Sequence, residues 1–408
     1  MGVKEVEERE NSDFLKRLMI GFVVVFLITY GVVIAEQNMT DNDYSTHADW
    51  ASMIEWRKLG EYFRNTIAYP LWHFGVKFCE SVLAVNLCKA VALVTALFNG
   101  FAYVSVLGIW KATHALRIQK DKMVFWAVSL FLINPLYAPW FNPSYYLGQA
   151  APNVWHNPTN IAVKGFAVVS FGLVVWLLNK KEEERGKLLP YLLLGMALTG
   201  SALAKPSFLQ GFIPGLGIFI VLRILIERKS FPFKFYVKLC AACVPAVAVL
   251  LLQSFATFFN TDYIRPESKI RIGWGAVLYQ WTPSLVGSFL LSFAFPLFVF
   301  VLNFKKLIRK EEIQVMLCYE AAAWLEGVLL YEEGGAFGQA NFTWAGLISA
   351  FIVWCVMLYY FIAELYDTEG YGTIRKKVTV YGGILLFAAH LLFGVIYWYQ
   401  LFSQVARY

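Results

Sequence analysis

At 408 residues the chain would ordinarily divide into two or three soluble domains. Composition overrides length: 59% of the residues are hydrophobic, 15% are charged and the mean hydropathy is +0.55, against roughly 45–50% apolar and about 25% charged in a soluble domain. One core of this size cannot hide that excess, so a soluble enzyme, a disordered chain and a disulfide scaffold are excluded and a polytopic membrane protein remains. The +7 net charge does not indicate nucleic acid, because the basic residues form no stripe. Cys240 and Cys243 form a C-x-x-C inside an apolar run, with no second Cys or His pair to complete the roughly four ligands of a zinc site. The six cysteines therefore read as small core residues. The first apolar run lacks a small-x-small cleavage site and reads as a retained span.

A helix needs about 20 apolar residues to cross roughly 30 Å of hydrocarbon. Eleven such runs are expected spans: 18–35, 85–110, 123–141, 161–178, 188–204, 207–226, 236–259, 283–303, 313–331, 344–366 and 378–400. The fifth and sixth are parted only by Lys205 and Pro206, a hairpin or a broken helix. The fold class expected is therefore all-α, with about eleven transmembrane helices in one domain over 1–408. With a cytoplasmic N-terminus, most Lys and Arg fall in short inner connectors such as 179–188. The positive-inside rule then supports an external C-terminus, and the expected location is the bacterial plasma membrane. Those connectors leave no room for a catalytic domain.

The outer segments hold the unusual sequence. The first, 36–83, contains Trp50, Met53, Ile54 and Trp56 at helix-like spacing, which predicts an amphipathic helix over 47–59 lying in the headgroup plane. The others are 141–160, 260–282 and 332–343. Just after the first span, Asp41, Asp43, His47 and Asp49 fall within nine residues. If helix starts near Asp43, Asp43 and His47 share a face. Asp41 or Asp43 either caps that helix or, ionised at neutral pH, acts as a base toward an alcohol. Further on, Arg64-Asn65-Thr66-Ile67-Ala68-Tyr69-Pro70-Leu71-Trp72-His73 turns before the second span, since Pro70 holds Tyr69 extended. His73 is either a ligand or an interfacial histidine.

Together, D-x-D-Y after span one (Asp41, Asp43, Tyr44) and R-x-T-x-x-Y-P-L before span two (Arg64, Thr66, Tyr69, Pro70, Leu71) resemble the membrane glycosyltransferases of the GT-C fold. Dolichyl-phosphate-mannose-dependent and dolichyl-phosphate-glucose-dependent enzymes carry an acidic motif followed by Tyr-x-Pro or Tyr-Pro-Pro. The motif part covers about thirty-five residues, and Leu71-Trp72-His73 stands where some relatives have a second Pro. The resemblance implies an inverting transfer of a sugar from a polyprenyl-phosphate donor to a glycan or lipid acceptor at the outer leaflet. Asp43 would be the base, with Asp41, Asp49 and His47 as further catalytic candidates. No cofactor is implied, and such donors need no divalent metal.

The remaining candidates come from the outer loops. Gln149, Asn153, His156 and Asn157 recur in a stretch that Pro152 and Pro158 stiffen, and offer a sugar the paired donors and acceptors its hydroxyls need; an interfacial turn is the plainer alternative. Tyr69, His73, Glu333, Asn341 and Trp344 complete the expected substrate set. Arg265, Lys269 and Arg271 run against the positive-inside trend and, with Arg64, are expected to hold a lipid phosphate or only a headgroup. Glu320 and Glu326 lie within a predicted span, where carboxylates are costly; Glu326 and Glu333 would share a face if that helix persisted. A flippase, a polysaccharide polymerase or ligase, and a membrane scaffold are the rival functions. A flippase would place its charges at mid-membrane, whereas the polar residues here gather at outer span ends.

Overall fold

The structure, a computed structural model, describes residues 3–39, 42–113, 120–142, 149–228, 231–259, 268–367 and 373–403. The chain opens with α1 (Val3–Glu36), then two short helices, α2 (Tyr44–Ser52) and α3 (Leu59–Asn65), then α4 (Leu71–Val82) and α5 (Leu87–Thr113). Next come α6 (Lys120–Leu130), α7 (Pro158–Leu178), α8 (Glu182–Arg185), α9 (Leu189–Ala204), α10 (Ser207–Glu227) and α11 (Phe233–Phe259). Strand β1 (Ser268–Ile272) precedes α12 (Leu285–Leu302), α13 (Phe304–Leu307) and α14 (Glu311–Leu329). Strand β2 (Leu330–Gly334), α15 (Trp344–Tyr366) and α16 (Ile374–Phe402) complete the order.

Among the described residues, eight segments are long and apolar enough to cross a membrane: Ser12–Glu36, Leu87–Trp110, Pro158–Leu178, Ser207–Glu227, Phe233–Phe258, Leu285–Leu302, Phe337–Tyr366 and Ile374–Phe402. The helices α5, α7 and α15 are mostly buried and form the centre. The others turn large apolar residues outward, such as Ile226, Leu252 and Leu385. In water that exposure would be prohibitive; against lipid tails it costs nothing.

Three of the eleven expected spans depart from the simple picture. Helix α6 stops at Leu130, and residues 131–142 run on as turns and extended chain. Pro135 and Pro139 lack the N–H a helix needs, and each disfavours helix in the residue before it. The extended piece passes against α16 at Gly394, where an added Cβ would lie 1.7 Å from the carbonyl oxygen of Leu132. Helix α9 is apolar but short. Helix α14 has the length, yet Glu311, Glu312, Glu320 and Glu326 keep it out of the apolar set.

Two local expectations also change. The single helix over 47–59 is broken: α2 ends at Ser52, turns occupy 53–58, and α3 starts at Leu59. Ile54 buries itself with Tyr62 and Ile67, which pulls the chain off the helical path and leaves Met53 and Trp56 exposed. Likewise the helix carrying Glu326 does not reach Glu333. Leu330 adopts extended backbone and starts β2, which pairs antiparallel with β1 in the register Lys269↔Glu333 and Arg271↔Tyr331. Among the described residues this two-stranded ribbon is the one sheet.

Candidate functional site

The loop before α7 and the start of α2 are built against each other. Asn42 caps the entry to α2, its Oδ1 accepting from the Tyr44 N–H at 2.9 Å, and the Tyr44 hydroxyl donates to the Trp155 carbonyl at 2.8 Å. The Asp43 N–H donates to the His156 carbonyl at 3.0 Å. At the start of α7, Asn157 is the N-cap: its Oδ1 accepts from the Asn160 N–H at 2.8 Å, and Pro158 follows at the first helical position, where its missing N–H is harmless.

The cap also organises charge. The Asn157 Nδ2 donates to Asp43 Oδ2 at 2.5 Å, and the Lys205 Nζ donates to Asn157 Oδ1 at 3.3 Å and to Thr159 Oγ1 at 3.1 Å. One carboxamide therefore bridges a carboxylate and an ammonium. Asp43 sits at the N-cap position of α2 but makes no side-chain cap bond; its carboxylate faces Asn157 instead. Lys205 lies in the break between α9 and α10, where Pro206 prevents the two helices from joining. Its Nζ stands 4.3 Å from the centroid of the Trp344 ring, a favourable position for a desolvated cation. Burial pulls the ammonium down to about 8, with Asp43 opposing the shift, so it remains charged at neutral pH.

These groups line a cavity of about 920 Å³. Asp43, Thr46, His47 and Tyr69 come from the segment between α1 and α5, Gln149, His156 and Asn157 from the loop before α7, and Gln339, Asn341 and Trp344 from the approach to α15. Trp274, Leu278, Trp281, Leu285, Val286 and Phe289 make an apolar wall. Burial pushes His156 down to about 4 and His73 down to about 3, and holds His47 well below its ordinary value. All three imidazoles are neutral at pH 7. Gln149 is buried, its Nε2 donating to the Leu136 carbonyl at 3.4 Å and its Oε1 left without a protein donor.

Several expected site residues lie elsewhere. His73 is behind the wall, its Nε2 2.9 Å from His47 Nδ1. Asn153 is also behind it: its Nδ2 donates to the carbonyls of Leu130 and Ile133, and its Oδ1 accepts from the buried Lys164 Nζ, each at 3.0 Å. Asp49 is exposed on the far side of α2. Arg64 is exposed, with Nε on the Gly60 carbonyl at 3.2 Å. On the ribbon, Lys269 is exposed opposite Glu333, and the Arg271 Nε donates to Glu333 Oε2 at 2.8 Å. Glu332, not Glu333, turns inward and accepts from Asn341 Nδ2 at 2.5 Å. Glu320 and Glu326 are not on the cavity wall. Asp41 and Arg265 fall outside the described residues. In the sequence Lys205 marks only the break between two apolar runs, although a cation between spans is costly and a signal of function.

Sequence comparison finds no matching family model and no matching curated protein. Fold comparison finds ArnT from Cupriavidus metallidurans in the apo state, with a TM-score of 0.52, 12% identity, and coverage of 95% of this chain and 76% of that one. ArnT from the same organism bound to undecaprenyl phosphate gives a TM-score of 0.49 at 13% identity, over 95% and 73% of the two chains. The archaeal oligosaccharyltransferase AglB from Archaeoglobus fulgidus, in complex with an inhibitory peptide and a dolichol-phosphate, gives 0.46 at 12% identity, over 94% and 56%. The likeness is one of architecture: the chain has a GT-C-like fold.

Proposed function

We propose that the protein is a membrane glycosyltransferase that moves a sugar from a polyprenyl-phosphate donor to an acceptor hydroxyl at the external face of the membrane. The observation that carries this reading is the Asp43–Asn157–Lys205 bridge on the wall of a large, half-apolar cavity. An ionised carboxylate and a buried ammonium, held apart by one amide, suit the two ends of a glycosyl transfer. The acceptor hydroxyl gives its proton to Asp43 as its oxygen attacks the anomeric carbon. The bond from that carbon to the phosphate oxygen breaks, and the leaving phosphate carries its charge away beside Lys205. Attack from the face opposite the phosphate inverts the anomeric centre.

The other lining residues fit the same reading. Gln149 and Asn341 bring carboxamides to the cavity lining, the groups that pair with sugar hydroxyls. The tryptophans of the apolar wall give a face for the isoprenoid chain. Lys205, rather than the ribbon cations, is the proposed phosphate partner, because a buried charge acts at lower effective dielectric than an exposed one.

The test uses the purified protein in nanodiscs of neutral lipid and a panel of undecaprenyl-phosphate-linked sugars. Release of undecaprenyl phosphate, dependent on a hydroxylated acceptor, is the expected result. Failure to bind undecaprenyl phosphate, together with no release from any donor, would remove the assignment.

A further inference from the structure

Behind the cavity wall lies a second layer that the reaction above does not use. His47 on α2 and His73 on α4 are both buried, and their rings meet edge on with Nδ1 of the first 2.9 Å from Nε2 of the second. Two neutral imidazoles in contact can share only one proton, so one nitrogen of the pair donates and the other accepts. Which one donates decides what the far edge of His47, a lining residue, offers to a ligand.

The surroundings of His73 settle the direction. His47 occupies the Nε2 of His73, so Nδ1 is the ring nitrogen left toward the backbone of Tyr69, four residues back, whose influence favours a proton on His73; no protein group donates to that Nδ1. A bare Nδ1 there would set a lone pair against a lone pair, so the proton of His73 belongs on Nδ1 and its Nε2 is bare. His47 must then donate from Nδ1, which leaves its own Nε2 without a proton. Trp50 and Trp72 hold the pair from two sides, with ring centroids 5.0 and 6.0 Å from His47. The Trp72 indole is itself anchored on Thr95 Oγ1 at 3.0 Å, so the imidazoles have little room to turn.

We propose that His73 is a positioning residue that fixes the Nδ1–H tautomer of His47, so that a proton-free Nε2 on the cavity wall accepts a hydrogen bond from a substrate hydroxyl beside Asp43. His47 Nε2 then stands as an acceptor on a wall that also carries Asp43 and Lys205, where it takes a hydroxyl of either substrate. The hydroxyl-binding role rests on the glycosyltransferase reading; the tautomer does not.

The two are therefore tested separately. Full-length protein labelled with ¹⁵N-histidine in nanodiscs reports each ring nitrogen as protonated or bare, without substrate, and the His47 signals are those lost in His47→Gln. The expected spectrum has a protonated Nδ1 and a bare Nε2 for His47; the opposite pattern, or an even mixture of both, overturns the proposal whatever the enzyme does. His73→Gln keeps an acceptor within reach of His47, whereas His73→Phe keeps bulk but no acceptor. His73→Phe should lose the single tautomer and lower kcat in the donor panel roughly 10- to 100-fold, the scale for removing an outer partner of a functional histidine. Undecaprenyl phosphate binding should be retained, and His73→Gln should recover most of the rate. Equal losses in both variants with the tautomer unchanged would make the pair purely structural. A fixed tautomer in a protein that releases no sugar from any donor would instead refute the glycosyltransferase reading alone.

Discussion

The cavity and the β-ribbon each bring a cation and a carboxylate together, and they do so in opposite ways. On the ribbon Arg271 and Glu333 touch directly at 2.8 Å, with 52% and 54% of their side chains exposed. In the cavity Lys205 is 5% exposed and reaches Asp43 only through the carboxamide of Asn157. A direct pair in water satisfies both partners for little gain. A pair spaced by an amide leaves charge available on both sides, in surroundings where charge acts strongly. The contrast teaches that a cation's value to a ligand follows from burial and from what already occupies it, not from its position in a loop.

The comparison breaks first at Asp43. Asp43→Asn preserves shape and removes basicity, so transfer should fall by roughly 10²–10⁴, the range for a lost general base. The measurement is initial rate in the donor panel, on protein whose unfolding profile matches wild type. Turnover within a few-fold of wild type would leave the bridge as a structural device and the base unassigned.

Acid sharpens the same comparison, because the cavity holds buried neutral histidines and the ribbon holds charges in water. His156 is depressed by burial to about 4 in the folded protein, against about 6.5 in an unfolded chain. The unfolded state therefore takes the proton first. The stability tied to a neutral His156 is complete above pH 6.5 and is lost as pH falls from there toward 4. Between pH 7 and 5 the loss is on the order of 2 kcal/mol. His156→Gln lacks this term, so the stability gap between wild type and variant should narrow by that amount over the interval. Reversible unfolding in mixed micelles at both pH values checks it; a constant gap would mean that His156 is hydrated.

Next in size is Lys205. A desolvated, charge-assisted contact to a phosphate contributes roughly 1.5–3 kcal/mol, so Lys205→Gln should weaken undecaprenyl phosphate binding about 10- to 100-fold. The Gln amide can still reach Asn157, which keeps the break between α9 and α10 intact while removing the charge. Unaltered affinity in neutral lipid would move the phosphate site away from the bridge.

Much of this cavity is legible in the sequence because its polar residues stand in the connecting segments between apolar runs. Asp43, His47, Tyr69, Gln149, His156, Asn157, Asn341 and Trp344 were all marked that way, and all line it. Membrane spans are equally legible, since a helix that closes its own backbone hydrogen bonds and is apolar over about twenty residues belongs in lipid. What was not legible depends on contacts between distant segments. Pairing of Ser268–Ile272 with Leu330–Gly334 joins strands about sixty residues apart, and neither announces itself by period. A helix persisting from Glu326 would turn Glu333 inward, whereas the strand buries Glu332 instead. Lys205 was passed over because it served as the mark of a helix break. His73 and Asn153, expected among the substrate-binding residues, stand one side-chain layer behind the wall, a distinction that spacing along a helix does not carry.

The smallest effect is expected at the ribbon, and it tests the comparison from its other side. Arg271 has a guanidinium suited to two phosphate oxygens. In the fold its Nε is engaged by Glu333, and its neighbour Lys269 sits opposite the same carboxylate. One carboxylate thus offsets two cations, and all three are open to solvent and to screening by salt. Arg271→Gln should then change undecaprenyl phosphate affinity in neutral lipid by no more than about threefold, the scale of an exposed pair. Glu333→Gln frees the guanidinium and supplies the converse: if Arg271 can reach the phosphate at all, affinity should rise in that variant and the rise should vanish at high salt. A loss of tenfold or more in Arg271→Gln would place the phosphate between ribbon and cavity, and would make Glu333 a competitor for Arg271 that the donor displaces on binding.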